Sequence, residues 1–120
     1  MKFACLFYHS EDAMVAFPAA QRDAVTAGCK AWVEGLQGQG QFVGAFGLAS
    51  TQTATTVRVR DGQVTYTDGP FAETKEQLGG LTVIEARDLD EALRIASKIS
   101  VARTGSIEVR PLFDGIGVRP

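Results

Sequence analysis

Residues 67–80 read TDGPFAETKEQLGG and are the most distinctive stretch of the chain. They lie between two β-branched segments, where almost any polar sequence would serve as a connector. Near its start lies an Asp-Gly-Pro turn. In such a turn the Asp side chain accepts hydrogen bonds from the backbone, and the Pro fixes its own φ angle. The closing Gly pair favours a close backbone contact or a β-bulge as the next strand begins. The stretch is therefore predicted to be either a rigid structural clasp or the wall of a site.

A β-hairpin is predicted immediately upstream of this stretch. Residues 53–60 alternate between two sets of β-branched and charged side chains, and residues 64–67 resume the same pattern. Asp61 and Gly62 stand between the two runs. Both residue types tolerate the positive φ of a type I′ turn, which makes Asp-Gly one of the stronger hairpin signals.

The rest of the chain supplies four more strands and two helices. The first helix starts near Pro18, carries an apolar stripe with Arg22 in register near its start, and ends at Gly38 and Gly40. The second starts at Asp88, a capping residue with Glu91 three positions on, and its apolar stripe runs to Ile99. Strands are predicted over residues 2–8, 42–48, 81–86 and 106–110.

This order gives a β-α-β-β-α-β frame with an added hairpin, the ferredoxin-like α+β arrangement. Two helices cover only one face of such a sheet, yet residues 2–8 are apolar on both faces. We therefore expect a second copy of the chain to cover the other face, forming a dimeric α+β barrel with any pocket near the interface. The chain is interpreted as one domain, residues 1–114, followed by a tail, residues 115–120.

Composition excludes several classes of function. The 120 residues carry a formal net charge of -2, which gives no basic footprint for nucleic acid. No apolar run approaches the length of a membrane span, and the N-terminus lacks the features of a signal peptide, so a cytoplasmic protein is predicted. Two cysteines, Cys5 and Cys29, and one histidine, His9, are too few for a zinc site, and no metal or cofactor is predicted.

The chain resembles the YCII-related proteins, specifically the DGPF-domain subgroup. The residues that carry this resemblance are 68–80, supported by 55–58, 61–62, 88–92 and 108–112. The resemblance implies a ferredoxin-like domain that pairs into a dimeric α+β barrel. It also implies a link to extracytoplasmic-function sigma factors, and in the wider group an active site built on a His-Asp pair. This chain departs from that pair, because its first helix contains no His and His9 ends the first strand instead.

Six residues are candidates for a site. Asp68 is a carboxylate that would bind a polar ligand or act as a base, and His9 is the alternative base. Phe71 is predicted to anchor the stretch in the core or at the dimer interface. Glu73 and Lys75 are either solvated or line a pocket beside Asp68. Arg110 faces a partner carboxylate or an acidic ligand.

Three functions remain open at this point. The first is a small dimer that binds a small ligand or a partner protein. The second is a small-molecule enzyme, a hydrolase, lyase or isomerase, that uses Asp68 or His9 in acid–base chemistry. The third is a regulatory partner of a sigma factor.

Overall fold

The computed structural model describes residues 1–117. Its strands and helices, in chain order, are β1 (Lys2–His9), α1 (Glu11–Ala16), α2 (Ala19–Gly38), β2 (Phe42–Gly47), β3 (Thr55–Arg60), β4 (Gln63–Asp68), β5 (Gln77–Glu85), α3 (Leu89–Ala96) and β6 (Ser106–Pro111). Short 3-10 turns occur at Thr51–Thr53 and Ser100–Arg103. The predicted tail, residues 115–120, extends beyond the described residues.

Four strands form one antiparallel sheet in the order β2-β5-β1-β6, and β3 and β4 form a separate two-stranded sheet. The larger sheet with α2 and α3 is the ferredoxin-like frame, and the β3–β4 hairpin is an insertion between β2 and β5. The predicted fold class is confirmed. The hairpin turn is also as predicted, since Asp61 and Gly62 have φ angles of 51° and 76°.

The core lies between one face of this sheet and the helices α2 and α3. Phe3, Cys5 and Ile84 from β1 and β5 are fully buried there against Leu36 of α2 and the alanines of α3. Burial raises the pKa of the Cys5 thiol to about 11.

A tryptophan joins the two helices to the sheet. The indole Nε1 of Trp32 donates a hydrogen bond to the Ile95 carbonyl at 2.9 Å. Its ring meets Phe7 edge to face, with centroids 6.0 Å apart. These contacts hold α2, α3 and β1 together on the helical side of the sheet.

The opposite side of the sheet is the open face. Its apolar side chains, which alternate with the core residues along β1 and β5, stay partly exposed: Ala4, Leu6, Tyr8, Leu81 and Val83. Within residues 1–117, none of them belongs to the buried core. The open face is continued by Phe46 on β2, whose side chain is exposed.

Local structure differs from the sequence predictions in three places. A short helix that was not among the predicted elements, α1, follows β1, and Ser10 caps it by accepting a hydrogen bond from the Ala13 amide at 3.1 Å. Helix α3 ends at Ala96, and the buried Ile99 lies in the connection that follows. Strand β5 begins at Gln77 instead of residue 81, because the Gly pair extends the pairing with β1.

The cap of α3 is partly as predicted. The Asp88 carboxylate accepts a hydrogen bond from the Glu91 amide at 2.9 Å. The Glu91 carboxylate, however, accepts a hydrogen bond from the Arg87 amide and not from the Asp88 amide. This backbone hydrogen bond is the main cause that lowers the pKa of Glu91.

The described residues contain neither a membrane-spanning helix nor a cluster of metal ligands. No helix in residues 1–117 combines the length and the apolar character needed to cross a membrane. Over the same residues, no group of three or more His, Cys, Asp and Glu side chains is arranged to hold a metal ion.

Candidate functional site

A cavity of about 510 Å³ opens where β1 and β2 end and β5 begins. We call it the His9 cavity. The side chains around it come from β1, α1, α2 and the segment after β2, and half of them are apolar: His9, Glu11, Met14, Val15, Arg22, Leu48, Ala49 and Ser50, with Gly79 of β5. Because β1 and β2 run in the same direction, their carboxyl ends meet at one edge of the sheet, which places this cavity there.

His9, the last residue of β1, presents its imidazole to this cavity beside Gly79. A Cβ atom at position 79 would lie 2.9 Å from the imidazole Nδ1, so only glycine leaves room for the ring as it stands. The pairing of β1 and β5 shifts register here: Phe7 pairs with Gly80 and Tyr8 with Leu78, leaving Gly79 as a bulge. Within residues 1–117 the imidazole forms no hydrogen bond to the protein, which leaves both ring nitrogens available to a ligand.

Glu11 is a fixed carboxylate at the start of α1. It accepts hydrogen bonds from the Thr51 amide at 2.7 Å, the Thr51 hydroxyl at 3.0 Å and the Ser50 hydroxyl at 3.2 Å. The Thr51 amide hydrogen bond is the main cause that lowers the pKa of this carboxyl, with smaller contributions from the two hydroxyls and from the charge of His9. Glu11 therefore ties α1 to the segment after β2, and its oxygen atoms are already engaged.

Arg22 brings a positive charge to the cavity wall from α2. Its Nη1 donates to the main-chain carbonyls of Val15, at 3.1 Å, and Phe17, at 2.8 Å, where α1 ends. These two bonds hold the guanidinium in place beside the cavity. In the part of the chain that the structure describes, no carboxylate lies within ion-pair distance of Arg22, and its Nε and Nη2 make no hydrogen bond.

Apart from Gly79, the stretch 67–80 lies outside the His9 cavity, and it borders a second cavity of about 400 Å³. Gly69, Pro70, Ala72, Glu73 and Thr74 line it, together with Thr51, Gln52 and Gln77. Asp68 ends β4 with an exposed side chain and lines neither cavity. The structure therefore brings neither Asp68 nor Lys75 close to His9.

Phe71 does not anchor the stretch in the core of its own chain. Its side chain is 81% exposed, so that part of the prediction is wrong; the alternative, an anchor at a dimer interface, stays a prediction. Glu73 and Lys75 form no ion pair with each other within residues 1–117. Both side chains are exposed.

Gln77, near the end of the stretch, lines the second cavity and is hydrogen-bonded to Glu11 of the His9 cavity. Its side-chain amide donates to the Thr74 carbonyl at 2.6 Å, and its side-chain oxygen accepts from the Glu11 amide at 2.9 Å. Glu76 next to it accepts from the Ser106 hydroxyl at 2.7 Å. The end of the stretch is thus fastened to α1 and β6, which is the geometry of a clasp.

Arg110 lies on β6, away from the His9 cavity. It forms an ion pair with Glu108, two residues earlier on the same strand. Both residues pair with positions of β1 whose side chains belong to the open face, Ala4 and Leu6. Arg110 is therefore placed at the open face, with a carboxylate partner from its own chain.

Sequence reasoning identified one residue of the His9 cavity as a site residue, His9, and missed Met14 and Arg22. The signal for α1 was present, because Ser10 followed by two acidic residues is a typical helix start. No sequence signal places Arg22 next to His9, since α1 and the bulge at Gly79 bring them together.

A sheet of this order, with helices on one face and a cavity at the strand ends, defines the class of ferredoxin-like α+β proteins. The chain matches the family model of the YCII-related domain over residues 1–115, and it belongs to that family. It is 39% identical over 114 residues to "Uncharacterized protein R00369" of Rhizobium meliloti (strain 1021), covering 93% of this chain and 92% of that one.

A solved structure shares the fold. It is 5-chloro-2-hydroxyhydroquinone dehydrochlorinase (TftG) from Burkholderia phenoliruptrix AC1100, in complex with 2,5-dihydroxybenzoquinone. The TM-score is 0.56, and the match covers 96% of each chain with 14% sequence identity. At that identity the likeness concerns the fold alone.

Proposed function

We propose that this YCII-family protein binds a small, partly apolar molecule with an anionic group in the His9 cavity, and that it does so as a homodimer. The observation that carries the proposal is the cavity itself. Its volume of about 510 Å³ lies within the range of about 300–1,000 Å³ that is usual for small-molecule sites. Its wall combines apolar side chains with a few convergent polar groups, which is the usual composition of such sites.

The charges on the wall select for an anionic group. The Glu11 carboxylate is occupied by Thr51 and Ser50, so it is a poor acceptor for a ligand. Arg22 is held by two main-chain carbonyls, which carry no formal charge and so do not neutralise the guanidinium. In the described residues its Nε and Nη2 donors make no hydrogen bond and can bind a ligand. A carboxylate or a phenolate would receive charge-assisted hydrogen bonds from Arg22 and, when protonated, from His9. Met14, Val15 and Leu48 would contact the apolar part.

The TftG complex is consistent with a ligand of this kind. 2,5-Dihydroxybenzoquinone is a six-membered ring with four oxygen substituents, and a molecule of that size fits the His9 cavity by volume. The argument for this chain rests on its own cavity, because the two proteins share 14% of their residues.

Calorimetric or NMR titration with benzoate and with its neutral analogue benzamide tests the proposal. We expect benzoate to bind more tightly, and we expect Arg22→Gln to remove the difference. Arg103→Gln serves as the matched control, since Arg103 is an exposed arginine that does not line the cavity. Binding of neither probe would contradict the proposed site, and equal binding of both would contradict the anionic preference.

The open face of the sheet supports the homodimer. Leu6, Tyr8, Leu81 and Val83 stay partly exposed there, although soluble proteins bury such contiguous apolar surfaces. A second copy would cover the face by sheet-on-sheet packing. Light scattering at high micromolar concentration measures the mass directly, and a monomer under those conditions would refute the dimer.

An enzyme is the second candidate, favoured by the free imidazole of His9. A general base needs to reach the proton it removes, and His9 faces the cavity with both ring nitrogens available. Asp68, the other candidate base, would have to act at a different place, because it lies outside the cavity. Comparing His9→Asn with Asp68→Asn in the folded protein separates the two: loss of turnover in one variant alone identifies the base.

The sigma-factor role rests on residues 68–80 and their resemblance to the DGPF subgroup. It predicts a stable complex with a sigma factor. Co-purification of the two proteins, with Phe71→Ser as the variant in the exposed part of the stretch, measures it. Failure of the wild-type chain to retain the sigma factor would count against this role.

A further inference from the structure

The β3–β4 hairpin has an apolar face that its own chain leaves uncovered. Val57 pairs with Tyr66 and Val59 with Val64, so the four side chains share one face of the two-stranded sheet. They are 58%, 73%, 56% and 53% exposed, respectively. We call them the apolar face of the hairpin.

The other face of the hairpin is polar, with Thr56, Arg58, Thr65 and Thr67 along it. Apart from the Thr55–Asp68 pair at the root of the apolar face, the side chains alternate as in a sheet with one face packed on protein and one in water. A lone two-stranded hairpin is only marginally stable in water. The root of the hairpin is fixed, since the Gly69 amide donates to the Ala54 carbonyl at 2.7 Å and the Thr56 hydroxyl donates to the Gly69 carbonyl at 2.9 Å. The hairpin thus has a fixed direction and a face that requires a cover.

The accessible surface of the chain is larger than that of a compact monomer of the same mass. Its accessible area is 8465 Å², whereas a compact monomer of 12.8 kDa would expose roughly 6,300 Å². The radius of gyration is 16.4 Å, compared with roughly 14 Å for a compact domain of 120 residues. The surplus of roughly 2,200 Å² per chain, or about 4,400 Å² for two, lies in the range of obligate homodimer interfaces.

We propose that the occupant is a second copy of this chain: the hairpin acts as an arm whose apolar face packs on the partner protomer. This inference rests on the homodimer proposed above and adds a second contact to it, beyond the open face of the sheet. In a twofold dimer the contact occurs twice, so each exposed apolar residue of the arm is buried in both protomers. Tyr66 suits such a contact, because its ring buries a large apolar area while its hydroxyl stays near water at the rim.

A matched pair of substitutions tests the arm. Val57→Asp places a carboxylate on the apolar face, and Thr65→Asp places one on the polar face of the same hairpin. Both variants place Asp, a poor strand former, in the middle of a strand, so any effect that they share reflects lower stability of the hairpin itself. We expect Val57→Asp to raise the dimer dissociation constant at least about tenfold and Thr65→Asp to change it only a few-fold, as measured by sedimentation equilibrium.

Hydrogen exchange supplies the second measurement on the wild-type chain. If the arm is docked, amides of β3 and β4 exchange more slowly at concentrations where the dimer prevails than after dilution. A dimer whose hairpin amides exchange equally fast at both concentrations would overturn the arm and leave the open-face dimer standing. A chain that is monomeric throughout would overturn both, and equal effects of Val57→Asp and Thr65→Asp would overturn the arm alone.

Discussion

Gly79 controls the position of His9, and replacing it with alanine should impair the His9 cavity while leaving the fold intact. The new Cβ atom would lie 2.9 Å from the imidazole Nδ1 and closer still to Cε1. Both atoms belong to the end of a side chain, so the ring can swing aside. An imidazole displaced in this way no longer presents its nitrogens to the ligand.

The energies indicate a loss of binding without much loss of stability. Forcing the ring off its rotamer costs about 0.5–1.5 kcal/mol. Replacing a strand glycine recovers about 0.5–1 kcal/mol, so the free energy of unfolding should change by less than about 1 kcal/mol. A lost hydrogen bond to a charged ligand is worth about 1.5–3 kcal/mol, which lowers affinity about tenfold or more.

Gly80→Ala is the control, because the neighbouring Gly80 faces backbone atoms where Gly79 faces a side chain. A Cβ atom there would lie 2.7 Å from the Phe46 carbonyl oxygen and 3.4 Å from the Gly47 Cα, and backbone atoms cannot rotate away. We expect a loss of about 1–3 kcal/mol of stability from this overpacking. Urea denaturation measures both stabilities, and NMR follows the His9 ring and the benzoate titration.

The reasoning is refuted if Gly79→Ala leaves the His9 ring resonances and benzoate affinity unchanged. It is also refuted if Gly79→Ala destabilises the chain as much as Gly80→Ala does. In either case the ring does not occupy the space above residue 79.

Three further predictions concern stability and reactivity. Because the folded chain lowers the pKa of Glu11, the ionised carboxylate stabilises the fold above its unfolded pKa of about 4.3, and this contribution is lost as pH falls through the folded pKa. Glu11→Gln should therefore destabilise the chain at neutral pH, and the difference from wild type in the free energy of unfolding, measured by urea denaturation, should narrow as the pH falls below the unfolded pKa of about 4.3; a constant difference would contradict this. Cys5, with its pKa raised to about 11, should stay unreactive towards a disulfide reagent at mildly alkaline pH until the chain unfolds, whereas the half-buried Cys29 reacts first; equal rates would be inconsistent with the described core. Trp32→Phe should cost about 0.5–1.5 kcal/mol in the same denaturation assay, because the Ile95 carbonyl loses the indole donor while keeping the Lys98 amide; an unchanged midpoint would show that water replaces the indole.

The fold could be predicted because its signals are local. Asp61 and Gly62 adopt the positive φ angles of the expected turn, and Asp88 caps α3 as its position indicated. The strand order then follows from the alternation of strands and helices. The start of β5 could not be predicted in the same way, since Gln77 and the Gly pair join the strand only through pairing with β1.

The candidate site was much harder to predict. Its polar groups come from separate elements, and their arrangement depends on where α1 ends and where the bulge at Gly79 lies. The stretch 67–80 attracted attention as a candidate site because its composition is unusual. In the structure Glu76 and Gln77 join the stretch to β6 and α1, and residues 77–80 pair with β1.

The central claim is that the His9 cavity is the ligand site, and mapping benzoate by amide chemical shifts tests it most directly. We predict that titration moves the amide resonances of His9, Val15, Leu48 and Gly79, with saturation at a single affinity that Arg22→Gln weakens. Shifts confined to residues around the second cavity, such as Gly69 and Thr74, would contradict the claim, as would spectra that do not change at all.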